Sequence, residues 1–295
     1  MNTLSIIIPT KNRPNQLQKL CESISVQTKK IDQVIIIDQS ENNNVFKDII
    51  KNILDNTTVV YIHDKSISGL VHAKQESLKY NTSDIITFLD DDIVLTENYF
   101  QEIFHVFQSN TKMMGCNGRI LNAPLKSYFS NLIFNIFHIG IFSDNRSNAY
   151  RDHTNQIIEL NTLSGGLSSW RKEVFYLVKF DVVNGFHAFE DKEFSIRVNQ
   201  YFSGSLAAVM SAKLYHYHAK INRESLINKT SKDIVEVFKI FKKNKSFFAA
   251  ISLNLFLLGL FFQAIKNALY HTNFLFIPMY FKGVYLGLLS KIKVV

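Results

Sequence analysis

Cysteine is nearly absent from this chain. Cys21 and Cys116 are its two examples, and they give no disulfide framework and no cysteine-based metal-ligand spacing, which fits a reducing compartment. Proline is scarce too, with 4 residues against 25 Phe and 12 Tyr, and with 46% apolar content this composition excludes disorder. No internal repeat or low-complexity linker interrupts the chain. The N-terminal residues are not expected to be a secretory signal: the apolar stretch Leu4–Ile8 stops at Pro9, and Lys11 and Arg13 follow. These absences point to a well-packed cytoplasmic protein. Its 295 residues suffice for one large domain or two modest ones.

Charge is unevenly placed within a net +8. From Ala219 onward there are 12 basic and 3 acidic residues, whereas the preceding residues hold 21 basic and 22 acidic ones. Such asymmetry points to nucleic acid or to an anionic membrane surface. The neighbouring residues favour the membrane. Ser231–Lys245 sets Ile234, Phe238 and Phe241 at helical spacing beside Lys239, Lys242, Lys243 and Lys245. Phe247–Ile265 then runs 19 residues without a charge, and Phe274–Leu289 contains only Lys282. A basic amphipathic helix followed by apolar helices is an interfacial pattern, for which nucleic acid has no use. The expectation is a peripheral or monotopic tail at the cytoplasmic face of the cell membrane, with a spanning helix equally open. A buried helical pair or a homodimer interface is the alternative.

Ahead of the tail, short apolar strands alternate with helical patterns. Strands are expected at Leu4–Ile8, Gln33–Asp38, Thr58–Ile62 and Asp84–Leu89, with helices at Asn15–Val26, Val45–Leu54 and Leu70–Tyr80. This order implies βαβ units and a mostly parallel sheet, whose ligands bind beyond the carboxyl ends of the strands. Three polar segments fall at such ends: Pro9–Arg13, Asp38–Ser40 and Asp90–Asp92. The very apolar Tyr128–Phe142 is too short to span a bilayer and reads as a buried helix, or as a lid or wall for a greasy acceptor.

Asp90, Asp91 and Asp92 are the densest chemical signal. Three adjacent carboxylates repel one another and call for a compensating cation. In an extended segment Asp90 and Asp92 share a face, which suits Mg²⁺ or Mn²⁺ shared with substrate phosphates. An acidic turn before a helix is the bland alternative. Glu190-Asp191 reads either as a capped helix start or as a carboxylate pair projecting into a cleft. Gly165-Gly166 permits a close backbone approach or a plain tight turn. Trp170 suits either a sugar face or a core. His216 and His218 alternate along one strand, as structural imidazoles or as ligands.

In order, Ile6-Ile7-Ile8-Pro9-Thr10-Lys11-Asn12-Arg13, Ile37-Asp38-Gln39-Ser40, Leu89-Asp90-Asp91-Asp92, Ser164-Gly165-Gly166-Leu167 through Phe175, and Phe189-Glu190-Asp191 through Arg197 resemble the successive motifs of family 2 glycosyltransferases of the GT-A fold. The resemblance covers about residues 3–218. It implies a catalytic domain over 1–218, with a nucleotide-sugar half over 1–112 and an acceptor half over 113–218, followed by a helical tail over 219–295. It also implies that Pro9, Thr10, Asn12, Arg13, Asp38, Lys74, Asp90 and Asp91 contact a UDP-, dTDP- or GDP-linked sugar. Asp92, Asp90 and His216 would bind Mg²⁺ or Mn²⁺, with His216 slightly preferred over His218. Asp191 would be the base, Glu190 its neighbour in the site, and Gly165, Gly166 and Trp170 the acceptor contacts. Two departures stand out. Gln39 replaces a frequent second acid, and Lys74 stands where an arginine is usual, keeping charge without its planar fork.

The resulting expectation is an inverting, metal-dependent transferase acting on a lipid-linked saccharide in surface-polysaccharide assembly. Transfer straight onto polyprenyl phosphate, or a catalytically silent membrane adaptor, are the competing readings. A two-metal phosphohydrolase lacks a second carboxylate cluster.

Overall fold

The computed structural model describes residues 3–41, 46–124, 127–149, 156–218 and 224–293. The expected helix start at Val45 and the proposed boundary at 218/219 fall at or beyond the edges of these segments. Strand β1 (Leu4–Thr10) and helix α1 (Pro14–Ser25) open the chain, followed by β2 (Gln33–Asp38), α2 (Phe46–Ile53), β3 (Thr58–His63) and α3 (Leu70–Ser77). Next come β4 (Ile85–Leu89), β5 (Ile93–Leu95), α4 (Tyr99–Ser109) and β6 (Gly115–Ile120). An irregular stretch carries α5 (Tyr128–Phe137), α6 (Arg146–Ala149) and β7 (Ile157–Glu159). Then follow β8 (Leu167–Arg171), α7 (Val174–Leu177), α8 (Glu190–Tyr201) and β9 (Leu206–His216). Three helices end the chain: α9 (Leu226–Lys243), α10 (Phe247–Tyr270) and α11 (Phe276–Leu289).

Among the described residues the strands form one sheet in the order β3-β2-β1-β4-β8-β6-β9-β5, with β7 added beside β9. The first four strands in that order are parallel, as the βαβ pattern requires, while β8 runs antiparallel between β4 and β6. Strand alternation divides the core into two layers. Ile6, Ile8, Val34 and Ile36 face Leu17 and Leu20 of α1 and Phe100 and Phe107 of α4. Ile7, Ile35, Ile37 and Phe88 face α3 and α8 on the other side, with Trp170 and Phe194 among them.

The C-terminal helices have a core of their own, which also takes in Phe142 and Phe186 from the preceding chain. Gly283 and Gly287 of α11 let it close on α9: a Cβ there would stand 2.8 Å from the Ser231 carbonyl oxygen and 2.2 Å from the Phe238 ring. The basic face of α9 departs from expectation. Lys239 donates to the Asn184 carbonyl, Lys242 caps the α11 carbonyls of Gly287 and Leu288, and Lys243 pairs with Asp181 and Glu193. These ammonium groups stabilise the protein's own helix end and carboxylates rather than forming a charged membrane-facing surface.

The expected buried helix is also corrected. On α5, Tyr128 and Phe129 are 82% and 69% exposed, and of its residues Asn131 alone is buried. The helix rides on α10 through Phe137, whose ring lies 5.8 Å from that of Phe262. Helix α10 is long and apolar enough to cross a membrane.

Candidate active site

The parallel strands deliver their polar ends to one edge. Register pairs Thr10 with Asp38 and Asp38 with His63, so the first three strands stop level. The chain then turns through Asp90–Asp92 into β5, whose Ile93 pairs with His216 on β9. That pairing brings His216 to the aspartates: its Nε2 lies 2.8 Å from Asp92 Oδ1 and 3.8 Å from Asp90 Oδ2. Asn122 fixes the His216 backbone with a hydrogen bond on each side, 2.9 Å to its N–H and 3.0 Å to its carbonyl. One ligand atom from each of Asp90, Asp92 and His216 falls within 4.8 Å of the others. Two carboxylate oxygens and an imidazole nitrogen so close together suit a divalent cation. His218 follows the strand end in a left-handed conformation, its ring centroid 4.0 Å from that of His216.

Asp91 turns to different work. It accepts the Thr10 hydroxyl at 2.7 Å and Arg13 NH1 at 2.9 Å. Burial raises its carboxyl to about 6, against the downward pull of these two hydrogen bonds. Asp91 thus ties the β1 loop to the aspartate turn. Asn12, at φ 54°, joins that loop to the end of β2: its N–H donates to Ser40 Oγ, and its side-chain oxygen accepts the Glu41 N–H. Asp38 accepts the Ser40 N–H at 2.9 Å and the Tyr61 hydroxyl at 2.6 Å. Gln39, unusual for a site of this pattern, accepts the N–H of Gly69 at the start of α3. Pro9, Thr10, Arg13 and Gln39 line a cavity of about 580 Å³ together with the three aspartates and His216.

Across the cleft, Gly165 and Gly166 meet the site's own carboxylates. A Cβ on Gly166 would stand 2.0 Å from Asp90 Oδ2, and one on Gly165 would stand 2.5 Å from Glu190 Oε1. The glycines are therefore the reason that the two acidic groups can approach one loop. Gly166→Ala is expected to push Asp90 out of the cation site. Its Mn²⁺ affinity, read by titration, should fall at least about tenfold, as for other disturbances around metal ligands. Unchanged affinity would refute this.

Two residues differ from their expected roles. Trp170 is 3% exposed, with its ring edge-on to Phe194 and its Nε1–H donated to Ser168, so it is core and not a sugar platform. Lys74 is 1% exposed, and its ammonium lies 3.4 Å from Glu190 Oε1, above the Phe88 and Phe180 rings. It is the counter-ion of Glu190 and not a phosphate contact.

Burial pushes the Glu190 carboxyl up to about 7; Lys74 pulls it down and Asp191 pushes it further up. Since the folded value exceeds the ordinary one, ionising Glu190 costs stability as pH rises from about 4.5 to about 7. Lys74 offsets that cost. Lys74→Met should therefore destabilise the protein by about 3 kcal/mol at pH 8, where a buried carboxylate is left without its partner. At pH 5, where Glu190 is neutral, the loss should vanish or reverse. Thermal unfolding at the two pH values checks this, and an equal loss at both would refute it.

Asp191 is held by its neighbour Lys192 and by a residue outside the sequence motifs, Arg146. Its Oδ2 accepts Arg146 NH1 at 2.8 Å, and its Oδ1 accepts the Lys192 N–H at 2.7 Å. Arg146 is in turn clamped by Asp144 through Nε and NH2. Partial burial raises the Asp144 carboxyl, but its bonds to Arg146 outweigh this and bring it to about 2. Burial lowers Lys192 to about 8, and its ammonium donates to Thr162 and to the Ser143 carbonyl. Asp144 and Arg146 lie just beyond the apolar 128–142 stretch and carry no recurrent spacing, so only the folded chain reveals them.

The fold has known counterparts. A TarS structure from S. aureus (residues 1–349) superposes with TM-score 0.58 at 14% identity, over 86% of this chain and 70% of that one. GalNAc-T7, solved with UDP, GalNAc and Mn²⁺, gives TM-score 0.61 at 15% identity, over 82% of this chain and 48% of that one. The mannosyltransferase PcManGT from Pyrobaculum calidifontis, solved with GDP-Man and Mn²⁺, gives 0.57 at 11%, over 99% and 76%. No curated protein sequence matches the chain. The sequence pattern of Glycosyl transferase family 2, however, matches residues 5–175, from β1 through the aspartate turn and the glycine loop to α7. With more than half of its length so matched, on a GT-A fold and around a candidate cation site, the chain belongs to glycosyl transferase family 2 and is a glycosyltransferase.

Proposed function

We propose that this enzyme is an inverting transferase that moves a sugar from a UDP-, dTDP- or GDP-linked donor to a hydroxyl of a lipid-linked saccharide. One observation carries the proposal. The Asp90–Asp92–His216 group and the Glu190–Asp191 pair stand on either side of the Gly165–Gly166 loop. A diphosphate site and a base on opposite sides of one reacting carbon is what single displacement needs.

In this reading the β1 loop and Asp38 bind the nucleotide. A divalent cation held by Asp90, Asp92 and His216, Mn²⁺ or Mg²⁺, would supply positive charge to the departing diphosphate. Mn²⁺ was bound in both GalNAc-T7 and PcManGT, and the imidazole ligand makes it the better fit here. Asp191, oriented by Arg146 and the Lys192 N–H, accepts the hydroxyl proton as that oxygen attacks the anomeric carbon. The bond from the anomeric carbon to the diphosphate breaks as the new glycosidic bond forms, and configuration inverts.

The acceptor class rests on the apolar surface. The outward sides of α5, α10 and α11 expose Phe129, Phe248, Phe281 and Tyr285, among others. Exposed aromatic side chains on apolar helices suit a lipid surface, so the protein would work at the cytoplasmic face of a membrane and extend a surface polysaccharide. The test is nucleoside-diphosphate release by the detergent-solubilised full chain from a panel of UDP-, dTDP- and GDP-sugars. Release from one donor, raised by membrane extract and abolished by chelator, is expected, with an inverted anomeric centre in the product. A sugar–phosphate–lipid product would replace the saccharide acceptor with polyprenyl phosphate. Silence across the panel by folded protein would refute the enzyme reading.

A further inference from the structure

Glu236 belongs to none of the sequence motifs, yet it reaches the site from α9. Its carboxylate is buried, with the residue 3% exposed. One oxygen accepts the His187 N–H at 2.8 Å; the other accepts those of Ala188 and Phe189 at 2.9 and 3.1 Å. These three residues immediately precede Glu190 and Asp191. Phe189 is the N-cap of α8 and has no side-chain oxygen with which to cap it. Backbone N–H groups need an acceptor, and here a residue of a distant helix supplies one for the N-cap of α8 and for the two residues before it.

We infer that Glu236 is a positioning residue for sugar transfer, fixing the 187–189 turn so that Glu190, Asp191 and His187 are presented to the cleft. His187 lines the same cavity as Asp90 and His216, so the turn reaches both sides of the reacting centre. The three bonds converge on one charged acceptor, which makes them strong and directional. Helix α9 is itself held, by Lys243 to Asp181 and Glu193 and by Lys239 to the Asn184 carbonyl. The C-terminal helices therefore set the geometry of the turn that carries the proposed base. This inference rests on the reading of Asp191 as that base.

Glu236→Gln retains shape, but one of its two terminal atoms becomes a donor facing an N–H. Glu236→Ala removes every acceptor. The kinetic probe is nucleoside-diphosphate release from the nucleotide sugar that the donor panel selects, and the structural probe is amide exchange over 187–191 in the full chain. The kcat per folded molecule should fall about tenfold in Glu236→Gln and about 100-fold in Glu236→Ala, with the donor KM within about twofold, because small misplacements of reacting groups cost rate and not ground-state binding. Amide exchange of the turn should quicken at least about tenfold in both variants. Ile240→Ala, one turn further along the same helix and with no polar side-chain atom to offer the turn, is the control. It should lower Tm and leave kcat and the exchange of the turn within about twofold.

The inference is overturned if exchange at 187–191 is unaltered, if a folded Glu236 variant keeps kcat within about twofold, or if KM moves instead. It is equally overturned if Ile240→Ala reproduces the effect. An inactive Asp191→Asn beside an active Glu236→Gln would sink this inference alone. An active Asp191→Asn would sink the base assignment first.

Discussion

Asp191→Asn is expected to lower kcat by about 10²–10⁴-fold, the range for losing a positioned general base, while leaving Mn²⁺ affinity unchanged. The amide cannot take up the proton of the attacking hydroxyl, yet it differs little in shape. Its oxygen can still accept from Arg146 NH1, at the cost of the bond from the Lys192 N–H, and Arg146 keeps its bonds to Asp144. The partly buried guanidinium is thus not stranded. Loss of the charge beside the α8 N-terminus and the Arg146 guanidinium should cost about 1–2 kcal/mol. Folding and function therefore separate: the variant should melt within a few degrees of the wild type. Single-turnover rate and Mn²⁺ titration on the same preparation check both halves. A kcat within tenfold of wild type would remove Asp191 from the mechanism, and Glu190, raised by burial and paired to Lys74, would become the next base to test.

The sequence made the first half of the fold legible because apolar alternation and helical spacing are local. Gln33–Asp38 falls where it was expected, and the other three early strands agree to within two residues at either end. The aspartate turn was legible for the same reason, since it ends a strand that reads clearly. The choice between His216 and His218 was not, because it depends on β5 pairing with β9, a contact between distant segments. Lys74 was misread because its sequence neighbours reveal neither its burial nor its partner, Glu190, 116 residues away. The α9 lysines show a related limit. An amphipathic pattern gives the side of a helix that is polar, but not whether that side meets water, lipid headgroups or the protein's own carboxylates. Arg146 and Glu236 had no signal at all: each earns its place by approaching one turn from far along the chain.

Asp92→Asn should abolish the stabilisation that Mn²⁺ gives to the fold and cut turnover by about 10³-fold, the scale for losing a preorganised group that meets developing negative charge. Asp92 is the most enclosed of the three candidate ligands and the one closest to His216. Disturbing the surroundings of a metal ligand already costs about 10–100-fold in affinity, so removing the ligand itself should cost at least about 100-fold. Without metal the outcome differs. Asp90, Asp91 and Asp92 repel one another, and the amide relieves part of that repulsion. It also gives up the attraction of Arg13, 3.8 Å from Asp92 Oδ2 but closer, at 2.9 Å, to Asp91. These effects oppose, and the melting temperature in chelator should move by no more than about 2 °C, the scale of about 1 kcal/mol in a chain of this size. Added Mn²⁺ should then raise the wild-type Tm by linkage and leave Asp92→Asn where it was. A variant that still gains stability from Mn²⁺ would mean that the cation is held elsewhere, and that the Asp90–Asp92–His216 group serves to join β5 to β9.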